Sequence, residues 1–399
     1  MRREETVVKL GWGPEEEAFR AELVAFVEEH APPEALAYGQ SRSRDGDDLR
    51  PAWAQAWQAT LFDHGWMIPA YPPEYGGRNA TPIQTLVYLE EMAHLGVPRS
   101  LHFTSYGIAA PSLIEFGDER QRALAAPAIR GDSVWCIGMS EPDAGSDLAA
   151  LQTRAELDGD RFVVNGQKVW TSYAMVSDWI LTFVRTDPTA TKHRGISCLM
   201  IDLDTPGVEI RPLRQITGGA EFAEVYFTDA VVPAENLLGP LHDGWSISTG
   251  SLAHERAGIW IESVVRSERA LDQLVDLARR LGRDDDPIVR RRIATLYEMT
   301  ASLRALGYKG AAGYGAGPAP EHSYMKLATS ELGQALSQFA LEMQGPYGAV
   351  TDPDRAADGG RWPIDVLAGF AGTIAGGTSE IQRNVVAQRV LGLPRGPRA

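Results

Sequence analysis

Two stretches of this chain combine residue types and spacings that could do chemistry. The first, near the C-terminus, is Ala371-Gly372-Thr373-Ile374-Ala375-Gly376-Gly377-Thr378-Ser379-Glu380-Ile381-Gln382-Arg383-Asn384. Gly376 and Gly377 lack a Cβ, so the backbone can bend sharply there and approach a ligand closely. Thr378 or Ser379 can cap a helix whose apolar positions are Ile381, Val385, Val386 and Val390. A glycine pair leading into a capped helix offers N–H groups to a phosphate or a developing oxyanion. The competing reading is a plain turn before a terminal amphipathic helix. The second stretch is Trp135-Cys136-Ile137-Gly138-Met139-Ser140-Glu141-Pro142-Asp143-Ala144-Gly145-Ser146-Asp147-Leu148, a turn whose hydroxyls and N–H groups could bind a polar ligand. Some twenty residues on, Lys168-Val169-Trp170-Thr171-Ser172 puts a large flat side chain, Trp170, on a strand, with barrel core as its alternative reading.

The elements that must position these residues fall into three blocks. Helical spacing marks Glu15–Glu29, through Phe19, Leu23, Phe26 and Val27, and Ile83–His94, through Leu86, Leu89 and Met92. Further helices are expected over Pro111–Phe116 and Glu119–Ile129, with Pro32-Pro33, Pro69 and Pro72-Pro73-Glu74-Tyr75-Gly76-Gly77 as breaks. The period then changes to strands: Phe162–Val164, Lys168–Ser172, Trp179–Arg185, Ile196–Asp202, Val208–Pro212 and Glu224–Phe227. Asn165-Gly166 reads as a two-residue hairpin and Asp158-Gly159-Asp160 as a second turn. From Gly244 the helical period returns over Trp245–Leu281, Pro287–Leu306 and His322–Met343, separated by the Gly-rich spacers Gly307–Pro320 and Asp358–Gly360. The expectation is an α+β multidomain chain: an N-terminal α-helical domain (1–132), a middle antiparallel β-barrel or sandwich (133–241) and a C-terminal α-helical bundle (242–399).

Composition narrows the function. At 399 residues, 44% hydrophobic and 23% charged, the chain has room for a large core and the balance of an ordinary globular protein. A net charge of −15 disfavours nucleic acid and anionic membrane surfaces as partners. No window approaches eighteen apolar residues, and Met1-Arg2-Arg3-Glu4-Glu5 lacks an apolar signal core, so a cytoplasmic location is expected. Cys136 and Cys198 are too few for a disulfide framework or a metal cluster.

Taken together and in order, these pieces resemble the acyl-CoA dehydrogenase family of flavoproteins. Ser140–Asp147 is similar to the family's Thr/Ser-Glu-Pro-x-Ala-Gly-Ser-Asp signature, Asn165–Trp170 to its Asn-Gly-x-Lys-x-Trp strand, and Tyr226–Pro233 and the C-terminal stretch also fit. The resemblance implies bound FAD and introduction of a trans-2,3 double bond into a coenzyme A thioester. It implies that the Met139 backbone and Ser140 contact the flavin ring, and that Gly145 and Ser146 lie near the pyrophosphate and the thioester. Trp170 would stand beside the isoalloxazine, Ser172 near its N5 edge, and Thr378 and Glu380 at the adenosine end, where the family usually has glutamine in place of Glu380. An electron-transfer flavoprotein is the implied electron acceptor, and the implied assembly is a homo- or heterotetramer.

The implied chemistry needs a carboxylate to take the α-proton. Many relatives carry it in a Glu-Gly-Thr triplet; here the triplet is Gly376-Gly377-Thr378, which keeps the Gly376 N–H for the thioester oxygen and lacks the base. The family's second location is a helix glutamate just before an arginine, which corresponds to Glu255 and Arg256 in Leu252-Ala253-His254-Glu255-Arg256. Glu255 shares a helix face with Leu252 and Ile259, surroundings that raise a carboxylate's pKa toward that of a general base; a solvated Glu-Arg pair is the alternative. Two motifs that reach a neighbouring subunit's FAD are altered, at Ala278–Asp286, without its phenylalanine, and at Glu342–Gly348, which resembles a bacterial subgroup of α2β2 heterotetramers that includes steroid side-chain enzymes. Rival readings are a non-catalytic subunit of a heteromeric dehydrogenase and a same-fold flavin oxidase or monooxygenase. Branched, long or sterol-derived acyl groups all remain open as substrates.

Overall fold

The structure, a computed structural model, describes residues 11–38, 48–312 and 321–394; the side chains of 251–259, 310–312 and 321–323 lie outside that description. The charged start Met1–Glu5 and residues 313–320 of the expected spacer are also outside the described residues.

Helices come first: α1 (Pro14–His30), α2 (Pro33–Tyr38), α3 (Ala52–Asp63), α4 (Pro82–Leu95), α5 (Ala110–Phe116), α6 (Glu119–Arg122) and α7 (Ala125–Arg130). α1 buries Phe19, Leu23, Phe26 and Val27, the four positions its spacing singles out. α4 starts where local chemistry dictates. Pro82 occupies its first position, the Thr81 hydroxyl accepts the Gln84 N–H, and the Gln84 side chain accepts the Thr81 N–H; such a box contributes about 1 kcal/mol. The single helix expected over Glu119–Ile129 is two. Pro127 has no N–H to offer the Ala123 carbonyl, so the first helix ends at Arg122 and the chain restarts at Ala125.

The middle block is one mixed sheet of β1 (Trp135–Gly138), β2 (Arg154–Asp158), β3 (Arg161–Ser172), β4 (Trp179–Arg185), β5 (Ile196–Asp202), β6 (Val208–Leu213), β7 (Phe222–Pro233) and β8 (Leu237–Leu238). Its order is β6-β7-β3-β2-β4-β5-β8, with β1 beside β4. Two expectations need correction. The sheet is not purely antiparallel: β1 runs parallel to β4 from Trp135–Trp179 to Gly138–Thr182, and Arg154 of β2 pairs in parallel with Arg185. β1 enters from the helical block and reaches β4 only after β2 and β3 intervene, a long connection that permits a parallel pair. Nor does the strand pairing close the sheet into a barrel, since β6 and β8 stand at its two ends.

Asp158-Gly159-Asp160 does turn the chain between β2 and β3. Asn165-Gly166 does not: β3 runs straight through it, and the register against β7 slips between Val164 and Gly166. Gly166 sits at φ +149, and a Cβ there would lie 2.6 Å from Thr153 Cα, so both backbone angle and close packing call for glycine. The Asn165 amide meanwhile donates to Asp229 Oδ1 and accepts the Asp229 N–H, both at 3.0 Å. Residues with turn chemistry thus build a bulge. β4 and β5 read as unbroken apolar runs because both faces are covered. Leu181, Phe183, Cys198 and Met200 pack on the N-terminal helices, whereas Ile180, Val184, Leu199 and Ile201 pack within the sheet's own core.

The C-terminal block contains α8 (Gly244–Arg280), α9 (Pro287–Ala312), α10 (Glu321–Gln344), α11 (Arg361–Gly372) and α12 (Ser379–Val385), the last continued by a wider turn over Val386–Val390. Trp260, Leu274, Leu303, Leu332, Phe339 and Trp362 are in its core. Gly307, read from sequence as the start of a spacer, is inside α9, and it is glycine there because a Cβ would lie 2.0 Å from the Trp260 ring. Helix propensity alone would favour Gly307→Ala by about 1 kcal/mol. The overlap with Trp260 is expected to outweigh that, with a net loss of about 1–2 kcal/mol. The thermal midpoint of Gly307→Ala should therefore fall; a rise would show that Trp260 yields freely.

Candidate active site

After Gly138 at the end of β1 the chain continues as a loop pinned to β3 by a buried ion pair. Lys168 is 0% exposed, and its Nζ lies 2.7 Å from Glu141 Oε1 and 3.2 Å from the Met139 carbonyl. Glu141 also accepts the N–H groups of Gln152 at 2.6 Å and Thr153 at 2.9 Å, and the Val169 N–H donates to the Ser140 carbonyl at 2.9 Å. These bonds fix the backbone of Met139, Ser140 and Glu141 and leave Gly145 and Ser146 exposed; a Cβ on Gly145 would meet nothing within 4 Å. Burial alone would raise the Glu141 carboxyl, but the Lys168 ammonium and the N–H donors hold it below the usual range. Burial pulls Lys168 down to about 8, with Glu141 opposing the fall, so both groups are charged at neutral pH.

Beyond Lys168 the β3–β7 register slips again before Thr171, and Trp170 takes up the slack at φ +61. A left-handed backbone on a bulky side chain costs about 1–3 kcal/mol. Trp170 is 60% exposed, which overturns barrel core as its role, and its ring meets Phe222 edge-on at 6.1 Å. The bulge therefore presents a flat aromatic face outward. Thr171 is buried with a hydroxyl that has no partner among the described residues, and Ser172 is half-buried beside it.

The glycine turn near the C-terminus is built separately. Gly376 (φ +64) and Gly377 (φ +94) are both left-handed, so the turn requires glycine. Lys326 Nζ donates to the Gly377 carbonyl at 2.6 Å and the Gln382 amide to that of Gly376 at 2.9 Å, while the Thr378 hydroxyl caps α12 by accepting the Ile381 N–H. Among the described residues the Gly376 N–H donates to nothing, and the buried Ser379 hydroxyl is unpartnered. Glu380 is exposed, its carboxyl held below the usual range by its own backbone N–H and then by the Thr378 hydroxyl. Gly376 also lines a cavity of about 480 Å³ among α8, α10 and α11, with Trp260, Ser267, Lys326, Gln334 and Trp362 on its walls. The backbone of α8 is helical through 255 and 256, but the side chains of Glu255 and Arg256 lie outside the described residues.

The structure thus joins Met139, Ser140, Trp170 and Ser172 through the β1 loop and the bulge, and joins Gly376, Thr378 and Glu380 through the glycine turn. Sequence reasoning missed the Glu141–Lys168 pair, whose members are 27 residues apart and carry no local spacing signal. No group of three or more metal-ligating side chains occurs among the described residues, and the described Cys136 and Cys198 are buried free thiols. No described helix is long and apolar enough to cross a membrane.

Comparison with known proteins identifies this architecture. The family described as acyl-CoA dehydrogenase matches along the chain, its N-terminal domain at residues 13–131, its middle domain at 136–230 and its C-terminal domain at 242–391. The acyl-CoA dehydrogenase IpdE1 of Mycobacterium tuberculosis is 37% identical over 95% of this chain and 98% of its own. The acyl-CoA dehydrogenase FadE26 of the same organism is 31% identical over 98% of this chain and 100% of its own. Among solved structures, the Tcur3481-Tcur3483 steroid ACAD superposes with a TM-score of 0.84 at 29% identity, covering 98% of this chain and 100% of the other. The ChsE4-ChsE5 complex from Mycobacterium tuberculosis gives 0.83 at 29% identity with the same coverage. This chain belongs to the acyl-CoA dehydrogenase family. It is an FAD-linked oxidoreductase, and the residues present fit that cofactor: an outward aromatic face at Trp170, open space over Gly145, and unpartnered hydroxyls on Thr171 and Ser379.

Lys168→Met would leave the Glu141 carboxylate buried without a counter-ion and should destabilise the fold by about 3–5 kcal/mol at neutral pH. The pH dependence should change sign. In the wild type Glu141 has a lowered folded pKa, so its contribution is present above about 4.5 and is lost as pH falls through the folded value. In Lys168→Met burial raises the same carboxyl, so acidification toward about 4.5 should recover stability. Urea unfolding at neutral and acid pH checks both statements.

Proposed function

We propose that this chain catalyses α,β-dehydrogenation of an acyl-CoA thioester to the trans-2-enoyl-CoA, with Glu255 as the base. The observation that carries the reading is the turn at Gly376-Gly377. Both residues have positive φ, so a side chain at 376 would be strained, yet among the described residues the Gly376 N–H makes no hydrogen bond. That geometry suits a donor to the thioester oxygen, which sharpens the acidity of the α-carbon as negative charge moves onto oxygen. The proton must then go to a carboxylate elsewhere, and the unbroken α8 backbone carries Glu255, followed by Arg256 as a thioester-side contact.

The Met139 backbone and Ser140 would hold the flavin ring, Gly145 and Ser146 the pyrophosphate and thioester region, and Trp170 and Ser172 the ring face and edge. Thr378 and Glu380 would lie at the adenosine end. FAD held there supplies the acceptor for the hydride that leaves the β-carbon as the proton leaves the α-carbon. The names of the two similar structures, one a steroid ACAD and both pairs of different chains, support a sterol-derived acyl group and a partner subunit for this chain. An electron-transfer flavoprotein would reoxidise the enzyme, and a tetramer of like or unlike chains would be the working assembly.

Glu255→Gln separates this reading from the rivals. A positioned base contributes roughly 10²–10⁴-fold in rate, so anaerobic bleaching of the flavin by acyl-CoA should slow at least about a hundredfold. Bleaching at the wild-type pace would remove Glu255 from the mechanism. Absence of bleaching in the wild type would favour a non-catalytic subunit, and rapid reoxidation by oxygen an oxidase.

A further inference from the structure

The cavity that Gly376 lines is a trough. α10 packs on both α8 and α11 and forms its floor. α11 contributes Arg361, Asp365, Ala368, Gly369 and Gly372, a single helix face roughly 16 Å long. α8 forms the opposite wall with Ser263, Ser267 and Ala270, the first of them about two turns beyond position 255. One end of the trough reaches Ala375 and Gly376. At the other, Arg361 donates to Gln273 of α8 and pairs with Asp365 at 3.2 Å.

The floor carries a glycine that packing does not explain. Gly333 lies in the middle of α10, where only proline is a poorer helix former, yet a Cβ there would meet nothing within 4 Å. Gly307 differs, because the Trp260 ring occupies the space beside it. Gly372, on the facing wall, would also take a Cβ at ordinary contact, 3.6 Å from Ser330. These glycines widen the trough without making room for any described side chain.

The walls are polar in composition but already bonded. The hydroxyls of Ser267, Thr329, Ser330 and Ser337 donate to carbonyls of their own helices. The Gln334 amide donates to the Gly369 carbonyl at 3.1 Å and to the Thr373 hydroxyl at 3.2 Å. A hydrocarbon body can therefore displace water from the trough without stranding these groups. At about 480 Å³ it has the size of sites that enclose a compact, drug-sized ligand.

We propose that this trough receives the acyl group of the thioester, and that Gly333 sets the width that admits a fused-ring body in place of a straight chain. This rests on the dehydrogenase reading and deepens it by naming the substrate class and the residue that selects it. With the thioester oxygen on the Gly376 N–H, the reacting carbons stand at the mouth of the trough. The carbons beyond them run down between α8 and α11.

The test uses the flavin-loaded full-length protein without oxygen and two CoA thioesters, a straight eight-carbon acyl group and a propanoyl group bearing a fused two-ring hydrocarbon. The wild type should favour the ring thioester in kcat/KM. Gly333→Leu fills the trough from its floor and should lower the ring-to-straight ratio at least about tenfold, mainly through KM. Gly333→Ala should lower it by a smaller factor while its thermal midpoint rises. A merely structural role would move both thioesters together. A wild-type preference for the straight thioester, a ratio that Gly333→Leu leaves unchanged, or a midpoint that falls in Gly333→Ala overturns the trough as the acyl subsite. An unchanged ratio with an altered sedimentation coefficient would give the space to a partner subunit instead. If neither thioester bleaches the flavin, the dehydrogenase reading falls. Calorimetric titration with the two trans-2-enoyl thioesters, which bind without turnover, then judges the trough alone: equal affinities overturn it, and a ring preference that Gly333→Leu abolishes upholds it.

Discussion

A buried ammonium and a buried carboxylate, 2.7 Å apart, hold together the loop that follows β1 and the strand that carries the Trp170 bulge. Burying either charge alone would cost several kcal/mol, so the pair is stable only with its geometry complete and its remaining oxygens satisfied. Glu141 meets that condition through the backbone N–H groups of Gln152 and Thr153. One carboxylate therefore ties the exit of β1, the entry to β2 and the middle of β3 to a common point. The loop that carries Ser140 and Ser146 starts from that point. So does the bulge that turns Trp170 outward, two residues beyond Lys168. Strain at Trp170 is sustained because both flanks are fixed, by the ion pair on one side and by the Tyr173 N–H bonded to the Glu221 carbonyl on the other.

Much of the fold was legible because long periodic runs carry their own signal. α1, α4 and α8 lie within a few residues of their spacing-based limits, and all six strand candidates fall in strands, two of them merged into β3. The losses have local causes. Asn165-Gly166 has the chemistry of a tight turn, but the clamp between Asn165 and Asp229 makes it a bulge, and only the partner strand reveals that. Gly307 looks like punctuation until Trp260, nearly fifty residues earlier, is seen against it. The parallel placement of β1 depends on which edge of β4 is free, a property of the assembled sheet. α11 has an apolar face but follows the Gly359-Gly360 turn so closely that the glycines masked its start.

The candidate site was legible in motifs and illegible in couplings. The loop around Ser140, the Trp170 strand and the Gly376 turn each stand out by composition, because glycines and hydroxyls mark places where backbone must meet a ligand. What connects them does not stand out. Lys168 and Glu141 are ordinary charged residues in sequence, and their importance comes from complete burial.

The most direct measurement is the FAD dissociation constant of the Glu141→Gln/Lys168→Met double variant. Without either charge no ion is left stranded, and the glutamine oxygen can still accept one of the two backbone N–H groups, so the fold should survive. If the ion pair positions the loop and the bulge for the cofactor, the folded variant should bind FAD at least about tenfold more weakly, a loss of some 1.4 kcal/mol. A folded double variant that holds FAD as tightly as the wild type would contradict the account.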